Sequence, residues 1–250
     1  MFAHRGASGR YPENTLEAFR AGIEAGADAL ELDVHATRDG TVVVIHDERL
    51  DRTTDGKGLV RDHTLASLRA LDAGCRFVDR QGGRPFANCG VRVPRLEDVL
   101  AAFPATPLNI EIKQDAPAIE ADVIALLDRY DAHRRVMLAA ESHEIMERIR
   151  ASAPDVLTSF SAVEALEFYT RVQQGDFVDY RPPGKALQVP HFHGEIEVVD
   201  AAFVARAHEL DLEVHVWTIN DEGEMSELAD LGVDGLMSDF PELLRSTVVR

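Results

Sequence analysis

The chain has 250 residues, 45% of them hydrophobic, and a formal net charge of -18. That is enough apolar material for one buried core, and about 250 residues is the usual size of a single β/α barrel. The acidic balance and the lack of any Lys/Arg cluster exclude a nucleic-acid stripe and electrostatic docking on anionic lipid; an anionic substrate would need local positive charge from a metal or from a few placed basic residues.

Along the chain, short apolar runs alternate with segments of helical spacing. The strand candidates are residues 2–4, 29–33, 42–46, 108–112, 136–139, 156–160, 186–189, 213–218 and 235–238. Between most of them the apolar spacing is near 3.6, as at 16–25, 118–130, 144–151, 201–210 and 222–231. Strand–helix alternation implies parallel strands, and about eight repeats imply a closed TIM-type (β/α)8 barrel. A doubly wound open sheet is the rival, but no Gly-rich phosphate loop follows an early strand. Nine candidates compete for eight staves, and the link from Asp33 to Val42 is too short for a crossover helix. Residues 47–94 break the rhythm: they are polar and Gly-rich, with one short helical pattern near 65–71. They read as a small insertion in one βα loop of a single domain spanning 1–250, rising as a wall beside the open end of the barrel.

The N-terminus, MFAHRGASGR, has no apolar leader, and no apolar run approaches the ~18–20 residues of a membrane-spanning helix. Cys75 and Cys89 form no CxxC pair and read as reduced thiols. The expectation is a cytoplasmic protein with no integral membrane segment and no nucleic-acid partner.

Four sets of residues carry chemistry. Glu31 and Asp33, in ALELDVH, are i and i+2 on a strand and share a face. Two acids on one face of an apolar strand are costly to bury unless paired or bound to a cation. A solvated outward face is the bland alternative, and it fits poorly with a strand covered on both sides. Glu111 and Lys113, in LNIEIK, repeat the spacing. As a third carboxylate, Glu111 would complete an all-oxygen site for Mg²⁺ or Ca²⁺, with Lys113 as a point charge for phosphate; alone the pair reads as a rim ion pair. His4 in FAHRG and His46 in VVVIHD each close an apolar strand, where barrel enzymes place catalytic groups, and two imidazoles can divide acid and base work. Arg5, next to His4, is placed to clamp a phosphate oxygen. In ENTLEAF, Asn14 is the expected helix cap, with Glu17 completing a capping box and Glu13 left free for the site. Six other histidines, at 35, 63, 133, 143, 208 and 215, are read as surface or packing residues on loops or helix faces. The HxH pair His191 and His193 is a weak metal signal.

The blocks HRGASGRYPENTLEAF, ELDVHATRDGTVVVIHD, LNIEIK, VHVWTIN and GVDGLMSDFPELL, in that order, resemble the glycerophosphodiester phosphodiesterase family. The likeness runs from residue 3 to about residue 244 and includes an insertion after the HD strand. It implies a barrel related to the phosphoinositide-specific phospholipases C, with Glu31, Asp33 and Glu111 as ligands of a divalent cation. By the same likeness His4 and His46 are the acid–base pair, Arg5 and Lys113 hold phosphate, and Glu13 and Trp217 line the pocket. The implied reaction splits a glycerophosphodiester into glycerol 3-phosphate and an alcohol. Some members act instead on lysophospholipids as lysophospholipase D, and the 186–220 segment looks closer to that subset. Sphingomyelinase D toxins share the HRG-type start, but they are secreted and disulfide-linked. Two further rivals are a barrel that only binds phosphodiesters and a metal-dependent sugar-phosphate aldolase or isomerase, since fold alone does not fix function.

Overall fold

In the computed structural model, residues 1–249 are described. Eight parallel strands form the barrel: β1 (Phe2–Ala3), β2 (Ala29–Ala36), β4 (Leu108–Ile112), β5 (Val136–Ala139), β6 (Leu157–Thr158), β7 (Ala186–Pro190), β10 (Glu213–Trp217) and β11 (Gly235–Ser238). They pair in the order β6-β5-β4-β2-β1-β11-β10-β7. The ring closes where Ser159 bridges Ala186 in parallel, with Lys185 N–H donating to Thr158 O at 2.8 Å and Phe160 N–H to Ala186 O at 3.0 Å. The expected TIM-type (β/α)8 barrel is therefore present.

The surplus strand is β3 (Val42–Val44), which runs antiparallel to β2 with Val34 opposite Val44 and Ala36 opposite Val42. The short link after Asp33 needs no crossover helix because it is a hairpin turn. An antiparallel partner can be reached in a few residues, whereas a parallel one cannot. A second hairpin, β8 (Phe192–His193) with β9 (Ile196–Glu197), stands on the loop after β7.

The alternation on β2 sets the whole site. Leu30, Leu32 and Val34 are fully buried and point outward into the layer beneath the helices. Burying side chains of that size stabilises by roughly 1.5–3 kcal/mol each. Once those three face out, Glu31 and Asp33 must face into the barrel. Deeper in the interior, Gln188 Nε2 lies 2.9 Å from Asn109 Oδ1 and 3.3 Å from His215 Nδ1. Gln188 and His215 are direct partners on the neighbouring strands β7 and β10, whereas Asn109 on β4 is not adjacent to β7, so the Gln188–Asn109 contact crosses the barrel lumen and the three make a polar layer in it.

Helices α1 (Leu16–Glu24), α3 (Leu96–Ala102), α4 (Glu120–Arg129), α5 (His143–Ser152), α6 (Ala162–Gln174), α7 (Ala201–Glu209), α8 (Glu222–Leu231) and α9 (Pro241–Val248) surround the strands. None is long and apolar enough to cross a membrane. Residues 47–94 carry only α2 (Leu65–Leu68) and a short 3₁₀ turn, Val60–Asp62. Leu50, Val60, Leu68, Val91 and Val93 bury against Val43 and Ile45 of the β3 arm, with Phe86 packed alongside. Phe77 and Phe86 meet edge to face at 5.3 Å. Large side chains in this segment hold its own small core together.

Candidate active site

At the C-terminal end of the barrel strands, Glu31, Asp33 and Glu111 converge. Their ligating oxygens all lie within 4.8 Å of one another. Pairing register explains the cluster: Asp33 sits directly opposite Glu111 across β2 and β4, and Glu31 is two residues back on the same face. Glu31 and Asp33 are buried. Burial, and then the charge of Asp33, push the Glu31 carboxyl up to about 8. Burial likewise pushes Glu111 upward, against the pull of Lys113. Three carboxylates in this space are not stable together as anions without added positive charge. The donor set is all oxygen, as hard divalent cations prefer, so the residues present fit such an ion.

Two basic side chains stand against the cluster. Lys113 Nζ is 2.7 Å from Glu111 Oε1 and 3.6 Å from Asp33 Oδ1. Arg5 Nη1 donates to Glu13 Oε1 at 3.0 Å, and its backbone N–H donates to Glu31 Oε2 at 2.8 Å. Its Nε is 3.3 Å from Asp33 Oδ2, yet this buried nitrogen makes no hydrogen bond. Burial opposes the charge of both groups, but the surrounding acids outweigh it and hold both pKa values above their ordinary range. The backbone that delivers His4 and Arg5 is a tight turn. Arg5 has φ 53 and Gly6 has φ 82. A Cβ at Gly6 would lie 2.5 Å from the Ala18 carbonyl carbon, so only glycine fits there.

Each strand-end histidine has its own carboxylate. His4 Nδ1 is 2.7 Å from Asp239 Oδ1. Asp239 also accepts from Ser8 Oγ at 2.7 Å and from Asn220 Nδ2 at 2.7 Å. Burial alone would raise Asp239, but the hydrogen bonds from His4, Ser8 and Asn220 and the charge of His4 bring it down to about 2. Burial works against the His4 imidazolium, but Asp239 and Glu31 prevail and raise its pKa. His46 Nδ1 is 2.8 Å from Asp47 Oδ1. Arg52 grips Asp47 at 2.8 and 2.9 Å and Glu13 at 2.6 and 2.8 Å. The Arg52 hydrogen bonds hold the Asp47 carboxyl well below its usual range. An ionised carboxylate only accepts, so Nδ1 of each ring carries the proton and Nε2 is left as the second functional nitrogen. His46 itself follows β3, not a barrel stave. Its position is fixed by Ile45 N–H to Asp33 O at 2.9 Å and by His35 Nε2 at 3.0 Å from the His46 carbonyl.

Several sequence expectations change. Thr15, not Asn14, caps α1: its Oγ1 accepts from Ala18 N at 3.2 Å. Asn14 takes φ 57, a conformation asparagine tolerates, and turns its side chain onto Asp33. Its Nδ2 donates to Asp33 Oδ2 at 2.9 Å and its Oδ1 accepts from Asp33 N at 3.3 Å. Glu17 therefore completes no box around Asn14. His35 and His215 are buried on β2 and β10 instead of lying on loops or helix faces. His191 is buried against Glu224 at 2.8 Å while His193 is exposed, and the two join no metal-type cluster among the described residues. Glu13 bridges Arg5 and Arg52.

The residues that sequence reasoning missed are Asn14 as a partner of Asp33, Asp47, Arg52, and the trio Asp239, Ser8 and Asn220. The signal for Asp47 was its place beside His46. Asp239 has no local signal: it meets His4 only because β11 pairs with β1.

Beside Glu111 opens a cavity of about 460 Å³, walled by Phe160, Leu166, Tyr169, Val189, Ile196 and Trp217 among others. Gln188 and His193 reach it, but no residue of 47–94 does. The expected wall is therefore elsewhere: the inserted segment braces His46 and Glu13 through Arg52, on the other side of the acid cluster.

The model of the glycerophosphoryl diester phosphodiesterase family matches residues 4–243. A glycerophosphodiester phosphodiesterase of Caldanaerobacter subterraneus is 34% identical, over 99% of this chain and 97% of that protein. Lysophospholipase D GDPD1 of Homo sapiens is 29% identical, over 97% of this chain and 84% of that protein. Among solved structures, an Oleispira antarctica phosphodiesterase in complex with the product sn-glycerol-3-phosphate superposes with a TM-score of 0.77 at 25% identity, over 100% of this chain and 96% of the other.

Proposed function

The chain belongs to the glycerophosphoryl diester phosphodiesterase family, and on that footing we propose that it hydrolyses a glycerophosphodiester to glycerol 3-phosphate and an alcohol. Glu31, Asp33 and Glu111 hold a divalent cation, Mg²⁺ or Ca²⁺, and His4 and His46 are the acid–base pair. The observation that carries the reading is the pair of imidazoles, each pinned at Nδ1 by its own ionised carboxylate, at the rim of a three-acid cluster.

The bound cation would supply electrostatic stabilisation to phosphate oxygens as charge builds at phosphorus. The rest falls to the protein. Arg5 and Lys113 are kept charged by the acids and clamp the phosphate. One imidazole takes a proton at Nε2 as the nucleophile forms its bond to phosphorus; the nucleophile is water, or a neighbouring substrate hydroxyl whose cyclic phosphodiester water then opens to glycerol 3-phosphate. The other gives its Nε2 proton to the departing alcohol oxygen as the P–O bond breaks. Glu13, tied to Arg5 and Arg52, positions the arginine that meets the phosphate, and Trp217 walls the alcohol side. The free thiols Cys75 and Cys89 support a cytoplasmic setting. One domain, 1–250, with 47–94 as an insertion, serves the whole site.

A second reading, lysophospholipase D-type cleavage of a lysophospholipid, is favoured by one observation. The cavity beside Glu111 is walled mainly by apolar side chains, as an acyl chain would need. Phosphorus NMR with glycerophosphocholine and with lysophosphatidylcholine tests both readings. Release of glycerol 3-phosphate from the first supports the principal reading, and release of lysophosphatidic acid from the second supports the alternative. Phosphocholine as product would place the cut on the wrong side and defeat both. Excess EDTA should abolish turnover, and Mg²⁺ or Ca²⁺ should restore it; full activity after chelation and dialysis would defeat the metal assignment.

A further inference from the structure

Large apolar side chains are seldom left exposed together on a soluble protein without a use. Three of them stand at the mouth of the cavity, and two more are exposed on the same elements. Leu166, Ile196 and Trp217 line it and are 63%, 50% and 37% exposed. Val163 lies one turn before Leu166 on α6 and is 56% exposed; Phe192, on the β8–β9 hairpin with Ile196, is 51% exposed. The rim is thus built from three elements, and through Leu166, Ile196 and Trp217 its apolar surface continues into the cavity beside Glu111.

The charge around this rim narrows the partner. Glu141, Glu167 and Glu197 are 74%, 53% and 52% exposed, with Lys113, Arg171 and His191 at 3.8, 2.8 and 4.0 Å from them in turn, and Glu195 on the hairpin tip is exposed too. Among the described residues no Lys or Arg lines the cavity. With a net charge of -18, an anionic surface would repel this face. A phosphocholine-headed surface carries no net charge and presents its quaternary ammonium groups outermost, so it does not repel an acidic face. Apolar side chains can then enter the layer beneath, with tryptophan at the boundary as membrane-interface helices and belts use it.

We propose that this rim seats the protein on a zwitterionic phosphatidylcholine-type lipid surface, with the cavity mouth facing the acyl layer. A monoacyl lipid would then pass from the surface into the cavity without crossing water. That use, though not the binding itself, rests on the lysophospholipid reading.

Trp217 is the only tryptophan in the chain, so intrinsic fluorescence reports on the rim alone. Phosphatidylcholine vesicles should shift the emission to the blue with saturation, and the protein should co-sediment with them. Vesicles with half their lipid replaced by phosphatidylglycerol should bind more weakly. The double variant Val163→Asp/Phe192→Asp changes two exposed side chains outside the cavity lining. It should weaken vesicle binding at least about tenfold, with turnover of soluble glycerophosphocholine within about twofold of wild type. Absence of a blue shift and of co-sedimentation, or tighter binding to the anionic vesicles, would overturn the proposal. So would a dimer in sedimentation velocity that the double variant dissolves, since the rim would then be covered by a second copy. Hydrolysis of glycerophosphocholine without vesicle binding defeats the docking alone; vesicle binding without hydrolysis of either diester defeats the functional reading alone.

Discussion

The two halves of the barrel mouth are built on opposite plans. On the β1–β2 side, each catalytic candidate is held by more than one charged or polar neighbour. Asp239 receives three side-chain donors, and Glu13 is shared between Arg5 and Arg52. On the β5–β7 and β10 side, the wall is largely apolar and much of it is exposed. Directional bonds fix atoms to fractions of an ångström, whereas apolar contact fixes only shape and volume. The first half is suited to chemistry that tolerates no misplacement, and the second to a substrate group of variable form.

Breaking the ordered half should cost most. His4→Ala and His46→Ala should each lower kcat by about 10²–10⁴-fold, the usual contribution of a general acid or base. His133→Ala, on a 3₁₀ turn away from the cluster, is the control and should change little. Near-normal kcat in either strand-end variant would reassign that residue to a structural role. Next comes Asn14, which orients Asp33, the proposed metal ligand. Asn14→Ala should weaken cation affinity by about 10–100-fold, as loss of an outer-shell partner does. Calorimetric titration with Mg²⁺ or Ca²⁺ measures it, and an unchanged affinity would mean that Asp33 is held well enough by the strand alone.

The apolar half should respond selectively and less. Ala165 lines the cavity from α6. Ala165→Phe should reduce kcat/KM for lysophosphatidylcholine by about tenfold and leave glycerophosphocholine within about twofold, a difference typical of lost apolar space. Equal loss on both substrates would erase the division of labour between the halves. Asp239→Asn returns to the ordered half and is read in the pH profile. Burial lowers the His4 pKa, and Asp239 and Glu31 together raise it above the ordinary value. Neutralising Asp239 removes a raising influence, so the pKa falls. The limb of the pH–kcat/KM profile that His4 sets should move to lower pH, and a limb that stays in place would show that His4 does not set it.

How much of this was legible beforehand depended on whether the information was local. Glu31 and Asp33 were readable because two residues on one strand share a face whatever the rest of the chain does. Glu111 was readable as a third acid, but its place opposite Asp33 is a matter of register between strands nearly eighty residues apart. Asn14 was misread because capping preference favours it at a helix start, while its actual conformation, φ 57, turns it toward β2. Asp239 could not be found from spacing, since it reaches His4 through the closure of the barrel. The strand at 42–46 showed its apolar pattern plainly, but not its direction, which only the short link after Asp33 hinted at. The inserted segment was seen as a unit, yet the side of the site it would serve was not written in its composition.

The β2–β3 hairpin has a consequence for anyone wishing to rebuild this chemistry elsewhere. Residues 29–46 form one uninterrupted stretch that carries Glu31, Asp33 and His46, and the antiparallel pairing with the bond from Ile45 to the Asp33 carbonyl fixes their mutual spacing within that stretch. The spacing is therefore a property of a local ribbon and not of the closed barrel. Such a ribbon is a portable cassette. Grafted onto another parallel sheet that offers a carboxylate in register with Asp33, it would bring its backbone spacing along, and the His4 side and the Asp47–Arg52 brace of His46 would need to be designed anew.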